Sequence, residues 1–231
     1  MIKPQLKRRA YDTTSRRLAA QATRHAILLA ARGLFVQDGY VGTTMPAIAL
    51  AAGVALDTVY ACIGRKPALF RLLIEASISG KDEAQLAEER DYVLGIRAEP
   101  KARKKLEIYA EALTRIHARL APLFKVLQAA SLVDPDLADL WQEISQRRAS
   151  NMRLFAADLA ATGDLRGDLG QDQAADIIWS MSSPELYLLL VEQRGWSPQA
   201  FESWLADAWR RLLLSGRQRG RSSDAVDAAR N

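Results

Sequence analysis

The chain is expected to fold as α-helices alone, arranged in two parts. Three observations carry that expectation. Apolar residues recur at helical spacing along almost the whole chain, and strict strand-like alternation is nearly absent. Gly, Thr-Thr, Asp-Pro and Ser-Pro steps punctuate these stripes where helices start and stop. Charge is divided unevenly: ten of the 32 basic residues, but only three of the 27 acids, lie within residues 1–70. A small basic unit joined to a larger, nearly neutral one suggests a polyanion partner for the first, the plainer alternative being a solvated basic tail.

Size and composition narrow the classes. With 231 residues, 49% apolar and 26% charged, the chain has an ordinary globular composition and room for one domain or two small ones. Its one cysteine, Cys62, excludes an intrachain disulfide, and one cysteine with two histidines makes a zinc site improbable. No phosphate-binding glycine loop or paired-carboxylate motif is present, so neither an enzyme nor a cofactor is expected. The longest apolar stretch is interrupted by Arg24, His25 and Arg32, and the N-terminus lacks a signal-like apolar run. A soluble, cytoplasmic protein without a membrane partner is therefore expected.

The first helix is expected from about Arg17 to Asp38, preceded by a basic arm over residues 1–15. Ile27, Ala31, Leu34 and Phe35 form its stripe, and Gly39 offers a left-handed stop. Thr43-Thr44 supplies an N-cap for a short second helix with Pro46 in its first turn; Gly53 ends it. A third helix is expected over about residues 55–63, closed by Gly64, and a fourth from Lys66 to about Ser79. Longer helices follow over about 101–120, from Pro122, and from Pro135 to about Ala161. The loop ATGDLRGDLGQD comes next, then helices over about 171–181, 184–193 and 198–214. These divide the chain into an arm (1–15), a three-helix unit (16–65), a connecting helix (66–80), a larger helical domain (81–215) and a disordered tail (216–231).

Residues 44–63 hold two short helices joined by AGVA. That is helix-turn-helix spacing: Gly53 permits the sharp turn, Val54 plugs the angle, and Ala49 and Ala52 are small where the helices touch. The second helix of such a unit enters a major groove with its N-terminal residues at base edges. The order AARGLF, Gly39-Tyr40, Thr43-Thr44-Met45, Ile48-Ala49, Ala52-Gly53-Val54, Thr58-Val59-Tyr60, then Gly64, Lys66 and Leu69 resembles the N-terminal domain of TetR/AcrR-type transcriptional regulators over about 45 residues. The resemblance implies a DNA-binding head, a divergent helical domain that binds a small-molecule effector, a homodimer, and a palindromic double-stranded operator. It implies a ligand-released repressor, ligand activation being the opposite sign. A helical small-molecule binder that does not read an operator is the alternative. The chain departs from the family pattern at Ala55, where serine is common, so the third helix lacks a side-chain N-cap.

For DNA contact, the resemblance implies phosphate roles for the Tyr60 hydroxyl and for Lys66. Thr43 and Thr44 either cap the second helix or combine capping with phosphate binding at its N-terminus. Asp57 accepts from a cytosine amine or serves only as a first-turn acid; Leu56 meets a thymine methyl or is merely exposed; Thr58 stands undecided. Arg17, Gln21 and Arg24 share one polar face of the first helix and either touch the DNA backbone or are solvated. In the second part Tyr109, Leu113, Phe124, Met152, Phe155 and Trp179 lie on apolar faces, as core or as lining of an effector pocket, with His117 at a stripe edge as a boundary residue. The last helix carries Phe201, Trp204, Leu205, Ala208, Trp209 and Leu212 in one stripe. The family implies that this stripe meets a second subunit; burial within the protomer is the alternative.

Overall fold

The computed structural model describes residues 6–81 and 85–215; the tail expected over 216–231 and the first five residues of the expected arm lie outside them. The described chain is helical throughout, its only strand-like feature a bridge between Leu165 and Leu214. Helix α1 (Leu6–Gly42) is followed by α2 (Met45–Ala52), α3 (Leu56–Ile63) and α4 (Lys66–Ser79). Then come α5 (Asp91–Ala98), α6 (Ala102–Ala130), α7 (Pro135–Ala160), α8 (Gln171–Met181), α9 (Pro184–Tyr187) and α10 (Pro198–Leu213).

Local signals set most of these limits. Thr44 caps α2, its hydroxyl accepting from the Ala47 amide at 3.2 Å, and Gly53 closes the helix in the left-handed region. Asp134, Ser183 and Ser197 cap α7, α9 and α10 in the same way, each followed by proline. Ala55 leaves α3 without a side-chain cap, as expected.

The structure corrects four expectations. Helix α1 begins at Leu6, so ten residues of the expected arm are helical, because nothing from Leu6 to Asp38 breaks a helix and Leu, Lys, Arg and Ala all favour one. The two helices expected either side of Pro122 are one: α6 runs through the proline. Leu120, Ala121, Leu123 and Phe124 are all buried there, so packing on both flanks holds a turn that proline alone would break. A short helix, α5, occupies part of residues 81–100, where none was expected. Beyond Tyr187 the segment Leu188–Gln193 widens into a π-helix instead of continuing as α.

Helix α6 is the axis of the molecule, touching α1, α4, α5, α7, α9 and α10. At its N-terminal end α5 packs beside it, α7 and α8 form a pair, and α10 lies along its length. The α1–α4 unit rests against it through α1 and α4. Three aromatics close that unit. Gly39 (φ 72°, ψ 177°) turns the chain so that Tyr40 stacks back on Phe35 at 5.7 Å, and both meet Phe70 of α4 edge-on at 5.4 and 5.0 Å. Only glycine adopts that backbone geometry readily.

Candidate nucleic-acid interface

Helices α2 and α3 are bent by 101°. That is the angle of a helix-turn-helix, and it follows from Gly53 together with half-buried Ala52 and Val54 at the corner. Val59 is the anchor of α3, fully buried. One and two positions away the helix turns outward: Asp57, Tyr60 and Ala61 are exposed, and Tyr60 keeps 45% of its surface. The face of α3 that points away from the protein thus carries one carboxylate, one phenol and a methyl, with Thr58 half-buried at its edge.

The other candidate DNA residues divide. Thr44 is exposed, with its hydroxyl proton still available. Thr43 is 1% exposed and its hydroxyl donates to the Gly39 carbonyl at 2.8 Å, so it ties down the kink and cannot reach a phosphate through its side chain. Leu56 packs half-buried against the core and does not stand free for a thymine methyl. Arg24 donates to the Cys62 carbonyl at 3.3 Å, placing positive charge at the C-terminal end of α3 and fixing that helix to α1. Arg17 and Gln21, expected on the same face, are exposed. Lys66 is half-buried, its ammonium 4.2 Å above the Tyr40 ring. Burial lowers its pKa and Asp134 opposes that. Burial also pushes the Tyr40 phenol up to about 12, with Asp134 and Asp136 adding to it, so the acidic first turn of α7 faces this corner. Arg65, exposed just before α4, joins this edge. In the sequence nothing local separates it from a solvated arginine.

A cavity of about 310 Å³ lies between α4, α5, α6 and α7. Tyr109, Leu113, Phe124, Met152 and Phe155 all line it; Trp179 does not, standing behind Arg148 with their centres 5.4 Å apart. His117, expected at a boundary, is 2% exposed and lines the cavity. Burial, with Arg148 nearby, pushes its pKa down to about 3, so the ring is neutral. Its Nε2 therefore donates to the Ser182 carbonyl at 3.2 Å, leaving Nδ1 buried without a partner. Helix α4 joins the two regions: it begins two residues after α3 and supplies Ile74 and Ile78 to the cavity wall. Behind it, Arg32 of α1 donates to the Ser77 hydroxyl at 3.1 Å and to the Arg119 carbonyl at 2.5 Å, and Arg119 returns a bond to the Ser77 carbonyl at 3.0 Å. On its other side Arg71–Glu143 and Glu75–Arg147, each 2.6 Å, tie α4 to α7.

The stripe on α10 faces inward. Phe201, Leu205 and Trp209 are fully buried, Trp209 stacking on Tyr109 at 5.4 Å and Phe201 meeting Tyr187 at 5.1 Å. These three cannot touch a second subunit as the sequence suggested, because α6 already covers them. Trp204 (36% exposed) and Leu212 (42%) remain on the outer face, Trp204 resting edge-on against Trp196.

Residues 27–72 match the model of the tetR family of bacterial regulatory proteins, which covers the kink, the helix-turn-helix and the first half of α4. No curated protein is significantly similar to the chain. Among solved structures, it is similar to NalD, the secondary repressor of the MexAB-OprM multidrug efflux pump in Pseudomonas aeruginosa, at 20% identity and a TM-score of 0.65, covering 85% of this chain and 98% of that one. GusR of Salmonella enterica shares 23% identity with a TM-score of 0.58 over 83% and 95% of the two chains. SmeT, solved in complex with triclosan, shares 18% with a TM-score of 0.60 over 84% and 92%. At these identities the likeness is one of fold.

Proposed function

We propose that this chain, a member of the tetR family of bacterial regulatory proteins through its residues 27–72, is a homodimeric repressor that leaves its operator when a small molecule enters the α4–α7 cavity. The observation that carries the reading is the family match lying on a helix-turn-helix whose second helix exposes Asp57 and Tyr60. Phosphate contacts would come from Thr44, Tyr60 and Lys66, and base reading from Asp57 and Thr58. Lys66 suits a clamp because the Tyr40 ring holds its ammonium at the start of α4.

The route from ligand to DNA runs through α4. Its C-terminal half lines the cavity and its first turn carries Lys66, so a ligand pressing on Ile74 and Ile78 would shift the whole helix. Two heads must sit about 34–36 Å apart to enter successive major grooves, and a ligand that favours another spacing shifts the population away from DNA. Each protomer would keep Phe201, Leu205 and Trp209 for its own core and offer Trp204 and Leu212 to its partner.

Selection of bound fragments from genomic DNA tests the reading. A recovered motif with two-fold symmetry supports it. Fragments without a shared motif, bound with a steep salt dependence, would replace it with a sequence-blind DNA binder; no bound DNA at low salt would leave only a helical small-molecule binder.

A further inference from the structure

We infer that the cavity takes an apolar monocarboxylate, held by Arg148 with its body among aliphatic side chains; the inference rests on the cavity being the effector site. Charge bookkeeping around the wall points there. Arg147 is neutralised by Glu75 at 2.6 Å and Asp158 by Lys105 at 2.7 Å. Glu88 and Arg97 are both exposed at the mouth. Among the described residues two cations are left. Arg148 donates to the Trp179 carbonyl at 2.8 Å and to the Ser182 hydroxyl at 3.4 Å, both neutral, and no carboxylate of the described residues is within ion-pair distance of it. Arg90, 9% exposed, donates to the Gln85 carbonyl at 3.1 Å and its buried Nε has no partner. Glu185 is the acid whose charge reaches Arg148, and it stands beyond contact with one oxygen itself buried and unpartnered. Burial lowers the pKa of Arg148, as it must for a guanidinium held without a counter-ion.

A buried cation without a carboxylate is costly, and an anion brought by a ligand removes that cost. Two cations against the distant Glu185 call for one negative charge, so a dianionic phosphate would be left undercompensated. The planar fork of a guanidinium matches the two oxygens of a carboxylate, and the Trp179 ring lies 5.4 Å behind that of Arg148. Beside the polar Asn151 and Ser182, much of the wall is aliphatic: Ile74, Ile78, Leu113, Ile116, Leu120 and Ile144. His117, neutral with Nδ1 as an unsatisfied acceptor, adds no positive charge and would accept from a hydroxyl on the ligand. The cavity volume, about 310 Å³, is at the small end of ligand sites, which suits a chain of about ten carbons rather than a large drug.

Three probes with one ten-carbon chain decide the matter on the full chain: decanoate, decan-1-ol and decylammonium, each at a concentration where it is monomeric, followed by calorimetry. Decanoate is expected to bind about tenfold or more tighter than the alcohol, with the ammonium weakest, since a hydrogen-bonded charge pair exceeds a neutral contact by that order. Arg148→Met should remove the preference for decanoate, and Arg148→Lys should keep part of it. The comparison within the wild-type protein stands even where a variant folds poorly. If the alcohol or the ammonium binds as tightly as decanoate, or Arg148→Met keeps the preference, the carboxylate assignment is overturned while the effector cavity stands. If none of the three binds, the effector-cavity reading falls with it.

Discussion

At the scale of single residues, environment separates side chains that look equivalent in the sequence. Thr43 and Thr44 are adjacent hydroxyls; one is bonded to Gly39 inside the unit and the other caps α2 at the surface. The same division gives Asp57 and Lys66 different expected behaviour. Lys66→Ala should weaken operator and random DNA alike and reduce the slope of log K against log salt by about one unit, because a phosphate contact carries no sequence information. Asp57→Ala should change preference at one base pair per half-site by roughly 1–3 kcal/mol and leave the salt slope alone. Binding-site selection with both variants at two salt concentrations reads both effects; an unaltered motif for Asp57→Ala would reduce that residue to a first-turn acid. His117 makes a separate prediction. Its pKa falls from 6.5 to about 3 on folding, so the unfolded chain binds the proton that the folded chain refuses. The stability this residue contributes is whole above pH 6.5 and is lost as pH falls from there towards 3, at up to about 1.4 kcal/mol per pH unit. His117→Gln keeps a donor for the Ser182 carbonyl and does not titrate. Denaturant midpoints at pH 7 and pH 4.5 should fall less for the variant, and equal falls would contradict a buried neutral histidine.

At the scale of elements, Gly39 decides where the head folds. Its φ of 72° and ψ of 177° lie in a region that side chains with a Cβ avoid, although the added Cβ would have open space around it. Gly39→Ala should therefore cost about 1–3 kcal/mol through backbone strain, without a packing clash. Thermal melts should show the loss, and DNA affinity should fall with it as α2 shifts. A variant as stable as the parent would mean that the turn can be rebuilt. Helix α6 makes the opposite point. Pro122 suits the first turn of a new helix, yet the helix continues because its neighbours on both flanks are buried against other elements. Helix α5 shows a third case: eight residues interrupted by Gly95 are too short a window to announce a helix by periodicity, and packing against α6 supplies the rest.

At the scale of the whole molecule, α10 has two faces with different consequences. Trp209→Glu places a charge in a fully buried site and should unfold the protein. Trp204→Glu lies on the outer face and should leave a folded monomer. Sedimentation with circular dichroism separates the two outcomes. A Trp204→Glu protein that sediments as a dimer would move the interface elsewhere on the surface.

What the sequence by itself determined are features that depend on residues a few positions apart: the helical periodicity, the caps at Thr44, Asp134, Ser183 and Ser197, the glycine stops, and the helix-turn-helix spacing from Thr43 to Lys66. Caps and turns close hydrogen bonds within three or four residues, so their chemistry is written locally. It also placed Tyr109, Leu113, Phe124, Met152 and Phe155 on apolar faces that the fold brings to one cavity. Only the tertiary structure decided which apolar stripe meets which neighbour. A stripe records that a face avoids water and not what covers it, so Phe201, Leu205 and Trp209 read equally well as interface or as core until α6 is seen against them. Arg148 is the same case in charge: on a helix it is one arginine among several, and only the tertiary structure shows that its partners, 31 and 34 residues away, are neutral and that no carboxylate of the described residues is within ion-pair distance of it.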